Sequence, residues 1–273
     1  MAKKTLMAVL LAVIVGLANV APAMAIKYGE LDGERHPYVG LMVAYDEDGT
    51  PLWRCSGTLI APQLFLTAGH CTEDPADHVE IWFDADLTDA ALHNYPTEGD
   101  VGGTPYTHPD YDPNAFYLHD LGVVVLDEPV NVDEYGQLPD EGQYDYLAKR
   151  RGRVEGTFTA VGYGLQNANK NHLSAERLRK LAHPQLIIMN SPSPLVGDFA
   201  ILMTNNAHTG GTCFGDSGGP VFFGGDDSNL LVGVTSYGLN SQCAGTGGVY
   251  RIDRADDLDW LWGEFGNYLA GYQ

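Results

Sequence analysis

The chain has 273 residues, 44% of them hydrophobic and only 19% charged, enough for one large core or two small ones. Acids outnumber bases 36 to 15, a net charge of −21 with histidine neutral. Such a surface disfavours nucleic acid and anionic membranes, and draws cationic partners by long-range attraction.

The chain opens on the basic stretch Met1-Ala-Lys-Lys-Thr, continues through an apolar run from Leu6 to Leu17, and reaches Ala23-Met24-Ala25. Charged region, hydrophobic region and small-residue cleavage site in that order read as a secretory signal peptide over residues 1–25. As a membrane anchor the run is shorter than the ~20 apolar residues a span needs, and Asn19 and Pro22 interrupt it. The expectation is therefore a secreted, extracellular protein with no membrane anchor. Cleavage after Ala25 removes two lysines and no acid, leaving 13 basic against 36 acidic residues, a charge of −23. Eight of those 13 lie between Lys149 and Lys180, which reads as a solvated inter-domain segment rather than a docking patch. Four cysteines, Cys55, Cys71, Cys213 and Cys243, suggest two disulfides in an exported chain. Spacing alone allows three pairings. No Cys-x-x-Cys or Cys/His knuckle spacing occurs, so no metal site is expected from the cysteines.

Tyr38–Tyr45 and Pro51–Cys55 flank Asp46-Glu-Asp-Gly-Thr50, a strand–turn–strand pattern. Phe65-Leu-Thr-Ala-Gly-His70-Cys71 follows; a histidine beside a cysteine is, taken alone, more often structural or a ligand. Residues 73–104 are acidic and irregular, without an Asp-x-Asp-x-Asp-Gly pattern, and read as solvated loops rather than a calcium site. Leu118-His-Asp120 then opens an apolar run to Leu126, a buried strand ended by Glu128-Pro129. From Val130 to about Gly152 the chain is polar and turn-rich. Phe158–Gly164, Leu186–Met189 and Ala200–Met203 read as further strands. Val221–Phe223 and Leu230–Thr235 form a hairpin around Gly224–Asn229. Before that hairpin stands Gly211-Thr-Cys-Phe-Gly-Asp-Ser-Gly-Gly-Pro220, a run that suits an exposed serine: glycine permits a tight turn and a close approach of substrate. Leu258, Leu261, Trp262, Phe265 and Leu269 repeat at helical spacing, with Asp256, Asp257 and Asp259 at the favourable N-terminal end. Many short strands between glycine-rich turns predict an all-β class with one terminal helix.

The run around Ser217 resembles the active-site segment of the trypsin/chymotrypsin family of serine peptidases. Leu66-Thr-Ala-Gly-His-Cys71 is similar to that family's Thr-Ala-Ala-His-Cys, with Gly69 for alanine. The segment from His119 to Leu126 is similar to its Asn-Asp-Ile-x-Leu-x-x-Leu, with His119 where asparagine is common. Ser-Gly-Trp-Gly is matched by Ala160-Val-Gly-Tyr-Gly164, with tyrosine for tryptophan. The motifs occur in the order His, Asp, Ser, and the likeness runs from Ile26 to the last helix. It implies two antiparallel six-stranded β-barrels with a cleft between them, residues 26–152 carrying His70 and Asp120 and residues 153–273 carrying Ser217. It further implies Ser217 as nucleophile, His70 as base, Asp120 as its orienting partner, and an oxyanion site at the Gly215 and Ser217 N–H groups. It pairs Cys55 with Cys71 and Cys213 with Cys243. No metal or organic cofactor is implied, and a monomer acting on protein or peptide is expected.

Ile26-Lys-Tyr-Gly29 looks like the family's Ile-Val-Gly-Gly start, with Lys27 and Tyr28 as departures. The resemblance then implies that a freed Ile26 amino group pairs with Asp216, so that signal cleavage at Ala25–Ile26 itself activates the enzyme. It puts Gly211 at the pocket floor, followed by Thr212, where trypsin-like members carry an aspartate. Ser236-Tyr237-Gly238 resembles the wall that binds substrate backbone, and Gly238 and Gly248 are expected to leave both walls open. Large apolar side chains should therefore precede the scissile bond; lysine or arginine would need an acid such as Asp198 reaching in. Two rival readings are a non-catalytic binding protein on the same scaffold and a secreted esterase. No triad residue is lost, and Gly215-Asp-Ser-Gly-Gly219 lies between strand patterns rather than opening a helix.

Overall fold

The structure is a computed structural model that describes residues 25–149, 157–169, 172–174 and 176–273. The signal-peptide reading of residues 1–24, and Arg150, Arg151, Arg153 and Lys170 of the basic segment, lie outside the described residues. Continuous apolar runs become strands buried on both faces, and alternating runs become strands with one wet face. Strand β1 (Glu30–Leu31) precedes six strands that close a barrel: β2 (Val39–Tyr45), β3 (Pro51–Ala61), β4 (Leu64–Thr67), β5 (His78–Trp82), β6 (Val101–Thr107) and β7 (Gly122–Leu126). Their order around the ring is β2-β3-β4-β7-β6-β5. Closure removes the free edges, and Leu41, Phe65, Leu66, Ile81, Val123 and Val124 are fully buried on the two faces of its wall. The acidic stretch 73–104 is less irregular than its composition suggests. It holds β5 and the start of β6, where buried Val79 and Ile81 alternate with half-buried His78 and Glu80.

The second half contributes β8 (Phe158–Gly162), β9 (Asn167–Asn169), β10 (His172–Ser174), β11 (Lys180–Ala182), β12 (Leu186–Ser191), β13 (Gly197–Asn205), β14 (Pro220–Phe223), β15 (Leu231–Gly238) and β16 (Gly245–Arg251). Strands β9 and β10 form a separate hairpin. The others curl into an antiparallel sheet in the order β1-β11-β8-β14-β15-β16-β13-β12. This sheet has eight strands and curls into a half-barrel. The extra edge is β1, which crosses from the first half and pairs through Glu30–Leu181 and Leu31–Lys180. Residues 26–31 thus pack with the second half, although the reading placed them with the first. Arg179 bolts the halves together: buried beside Asp32 at 2.8 Å, it also donates to the Phe83 and Gly33 carbonyls at 2.7 Å each.

Two helices matter to the site. The single turn α1 (Gly69–Thr72) follows β4, and α2 (Ala255–Leu269) closes the chain. Helix α2 buries Asp257, Leu261, Phe265 and Leu269, a stripe with four-residue spacing. Trp262, expected on that face, is 46% exposed, because one residue past Leu261 turns it about 100° away. Trp260 instead packs edge-on against Phe265.

Candidate active site

His70 sits in α1, held at the barrel rim by the Cys55–Cys71 disulfide from β3. Trp53 adds a second tie by donating its indole N–H to the Cys71 carbonyl at 2.9 Å. Asp120, just ahead of β7, is fully buried. Its Oδ1 accepts the His70 backbone N–H at 2.9 Å, and His70 Nδ1 lies 3.0 Å from both carboxylate oxygens. A carboxylate can only accept, so Nδ1 carries the proton and Nε2 presents a lone pair outward. Burial by itself would lower the imidazole pKa, but the Asp120 charge and hydrogen bond outweigh it and hold it above the ordinary value. Oδ2 of Asp120 accepts the Ser236 hydroxyl at 2.5 Å. The sequence reading had Ser236 only as a wall residue; its side chain instead completes the hydrogen bonding of Asp120.

The segment 211–220 turns sharply at Gly215 (φ +92°) and Gly218 (φ +75°), conformations that glycine enters at little cost. A β-carbon on Gly218 would stand 1.9 Å from Thr67 Oγ1, so the nucleophile loop lies directly on β4 of the first barrel. Ser56 fastens it there: its N–H donates to the Ser217 carbonyl at 2.8 Å and its hydroxyl to the Gly215 carbonyl at 2.9 Å. No local motif marks Ser56, because nothing in Cys55-Ser56-Gly57 shows that its partner is 161 positions away. Among the described residues, the Gly215 and Ser217 N–H groups have no hydrogen-bond partner. Nor does a hydrogen bond join Ser217 to His70, although both line one cavity.

That cavity encloses about 320 Å³ and is lined by His70, Thr212, Phe214, Ser217, Ser236, Tyr237 and Gly238, with the Cys213–Cys243 disulfide beside them. Gly211 and Gly248 do not line it. A side chain at 211 would run into Asn205, whose carboxamide donates to the Thr212 carbonyl at 2.5 Å and whose Oδ1 is buried without a partner. At Gly248 a β-carbon would stand 2.3 Å from the Tyr237 ring, so that wall is covered by an aromatic face rather than left open. The Tyr237 hydroxyl donates to the Leu195 carbonyl. Gly238 is open, with nothing closer than 3.8 Å. Asp198 does not line the cavity; it accepts from Arg254 at 2.6 Å.

Asp216 is fully buried and accepts the Gly164 and Cys213 N–H groups at 2.7 and 2.8 Å. Burial pushes its carboxyl up to about 7, because those two donors offset only part of the lost hydration. It has no ion-pair partner among the described residues. Ile26, joined to Ala25 by a peptide bond, is buried, and the neighbouring Lys27 carbonyl accepts the Gly211 N–H at 3.1 Å.

Residues 33–260 match the family described as Trypsin. Serine protease 7 of Drosophila melanogaster is 28% identical over 82% of this chain and 60% of its own length, so this chain spans about three-fifths of that relative. Trypsin of Saccharopolyspora erythraea is 29% identical over 79% of this chain and 87% of its own length. The solved structure of HL collagenase superposes with a TM-score of 0.65 at 22% identity, over 89% of this chain and 99% of that one, a likeness of fold.

Proposed function

Since the chain belongs to the trypsin family, we propose that it is a secreted serine endopeptidase working through Ser217, His70 and Asp120. The observation that carries this reading is one cavity lined by Ser217 and His70, with the His70 Nδ1 held 3.0 Å from a buried Asp120. A serine hydroxyl is a weak nucleophile near neutral pH, so His70 Nε2 takes its proton as Oγ bonds to the scissile carbonyl carbon. The carbonyl oxygen becomes an oxyanion, for which the unpartnered Gly215 and Ser217 N–H groups supply donors. His70 then gives the proton to the leaving amine as the C–N bond breaks. Water repeats the sequence on the acyl-enzyme, returning Ser217. Asp120 orients the imidazole and stabilises its cationic form. These roles follow the worked serine-protease triad. The separation of Ser217 from His70 is compatible with them, since such hydrogen bonds tighten when substrate arrives.

A cavity lined by Phe214, Tyr237, Thr212 and Gly238, without a carboxylate, supports apolar or aromatic residues before the scissile bond. The charge-bearing competitor is weakened because Asp198 is tied to Arg254. Release of the signal segment at Ala25–Ile26 would free the amino group expected to meet Asp216. The test is digestion of a mixed peptide set with the cleaved positions read by mass spectrometry. Cuts after Phe, Tyr, Leu and Met, absent in Ser217→Ala, are expected. Cuts confined to Lys and Arg would overturn the preference, and no cutting by folded protein starting at Ile26 would overturn the activity.

A further inference from the structure

His108, His119 and Asp257 play no part in the chemistry above, yet they converge from three segments: the residue after β6, the loop before β7 and the first turn of α2. Each offers one ligand atom, and the three atoms lie within 4.8 Å of one another. His108 Nε2 is 3.8 Å from Asp257 Oδ1, with both side chains buried. The two imidazoles stack with centroids 5.0 Å apart and planes 14° apart. Neither His108 Nε2 nor His119 Nδ1 has a hydrogen-bond partner. Buried polar atoms of that kind are rare, because an unmade hydrogen bond inside a protein is costly. Asp257 accepts the Tyr250 hydroxyl at 2.9–3.0 Å but, among the described residues, has no lysine or arginine at ion-pair distance. Two imidazole nitrogens without hydrogen bonds thus face a buried carboxyl group, a donor set of two nitrogens and one oxygen.

We propose that His108 Nε2, His119 Nδ1 and an Asp257 carboxylate oxygen form a binding site for a divalent transition-metal ion of the zinc class. Imidazole and carboxylate donors suit zinc, and three protein ligands leave a position for water or a further oxygen. Asp256 stands ready as that oxygen: its carboxylate is half exposed and 3.5 Å from His119 Nδ1, which also marks the entry from solvent. A tetrahedral ion with bonds of ~2.1 Å needs ligand atoms ~3.4 Å apart, so side-chain rotations of ~1 Å close the set. Coordination moves the His108 proton to Nδ1, giving up the 3.2 Å contact from the Asp110 N–H. Tyr250 holds the Asp257 ligand in place from behind. An ion there ties α2 to the loop that carries Asp120, the residue after His119. This departs from the expectation of no metal, which rested on cysteine spacing and an acidic-loop pattern; these three residues have no local signature.

The test is calorimetric titration of the purified protein with zinc chloride alone, with His119→Ala, Asp257→Asn and, as a control, His93→Ala, which removes another histidine–carboxylate pair. One equivalent should bind to the wild type and to His93→Ala, with affinity falling at least about tenfold in the other two. No binding, or binding indifferent to His119 and Asp257, overturns the site. Should either variant not fold, cobalt added to the wild type decides. Paramagnetic broadening centred on the amides of Asp120 and Asp257 supports the site, and broadening centred elsewhere overturns it.

Discussion

Asp120 accepts hydrogen bonds from both halves of the chain: two from His70 and one from Ser236. A charge-assisted bond of this kind contributes about 1.5–3 kcal/mol. Ser236→Ala should therefore lower kcat/KM by roughly tenfold to a hundredfold with the fold intact, measured on a peptide ester or amide. The raised imidazole pKa sets the acid limb of the pH–rate profile. Nε2 must be unprotonated to act as base, so activity should rise with pH through a value above the ordinary ~6.5 of histidine. Asp120→Asn removes the charge that raises it; its profile should shift to lower pH while its rate falls, as stopped assays across pH 5–9 would show. At this scale His70, Asp120 and Ser217 could be proposed from the sequence because each lies in a local motif. Ser56, Asn205 and the second role of Ser236 were not, since their partners are supplied by distant strands.

Strands and helices were read mainly from period, and period fails where neighbours decide. Trp262 counted as apolar on the helical repeat, yet it lies outside the 257–261–265–269 stripe that α2 buries. Leu261, fully buried there, should cost about 2–5 kcal/mol when changed to Ala, seen as a lower urea midpoint with kcat of the folded fraction unchanged. The nucleophile loop and the segment beginning at Ile26 give a second prediction. The folded chain holds the Asp216 proton up to about pH 7, whereas an unfolded aspartate loses it near ~3.9. The contribution of this group is therefore full below ~pH 4 and is lost as pH rises to 7, in total ~4 kcal/mol. Stability of the uncut chain should fall over that window and flatten in Asp216→Asn. A chain starting at Ile26 should lose the decline too, because its amino group would compensate the carboxylate; urea midpoints at pH 5 and 8 compare the three.

At the scale of the molecule, the all-β class was visible in strand-length runs separated by glycine turns and the terminal helix in its apolar repeat, while the two-barrel plan came from the family resemblance. The crossing of β1 onto the second sheet was not, because two residues carry no period. Nor was the Asp32–Arg179 bolt, whose meaning depends on both groups being buried together. These long-range ties are what bring a histidine on one barrel and a serine on the other sheet to one cavity. Intact-mass measurement after a fluorophosphonate probe reads out that convergence. One adduct is expected on the protein starting at Ile26 and none on Ser217→Ala. No adduct on folded protein with that start, or an equal adduct on Ser217→Ala, would contradict it.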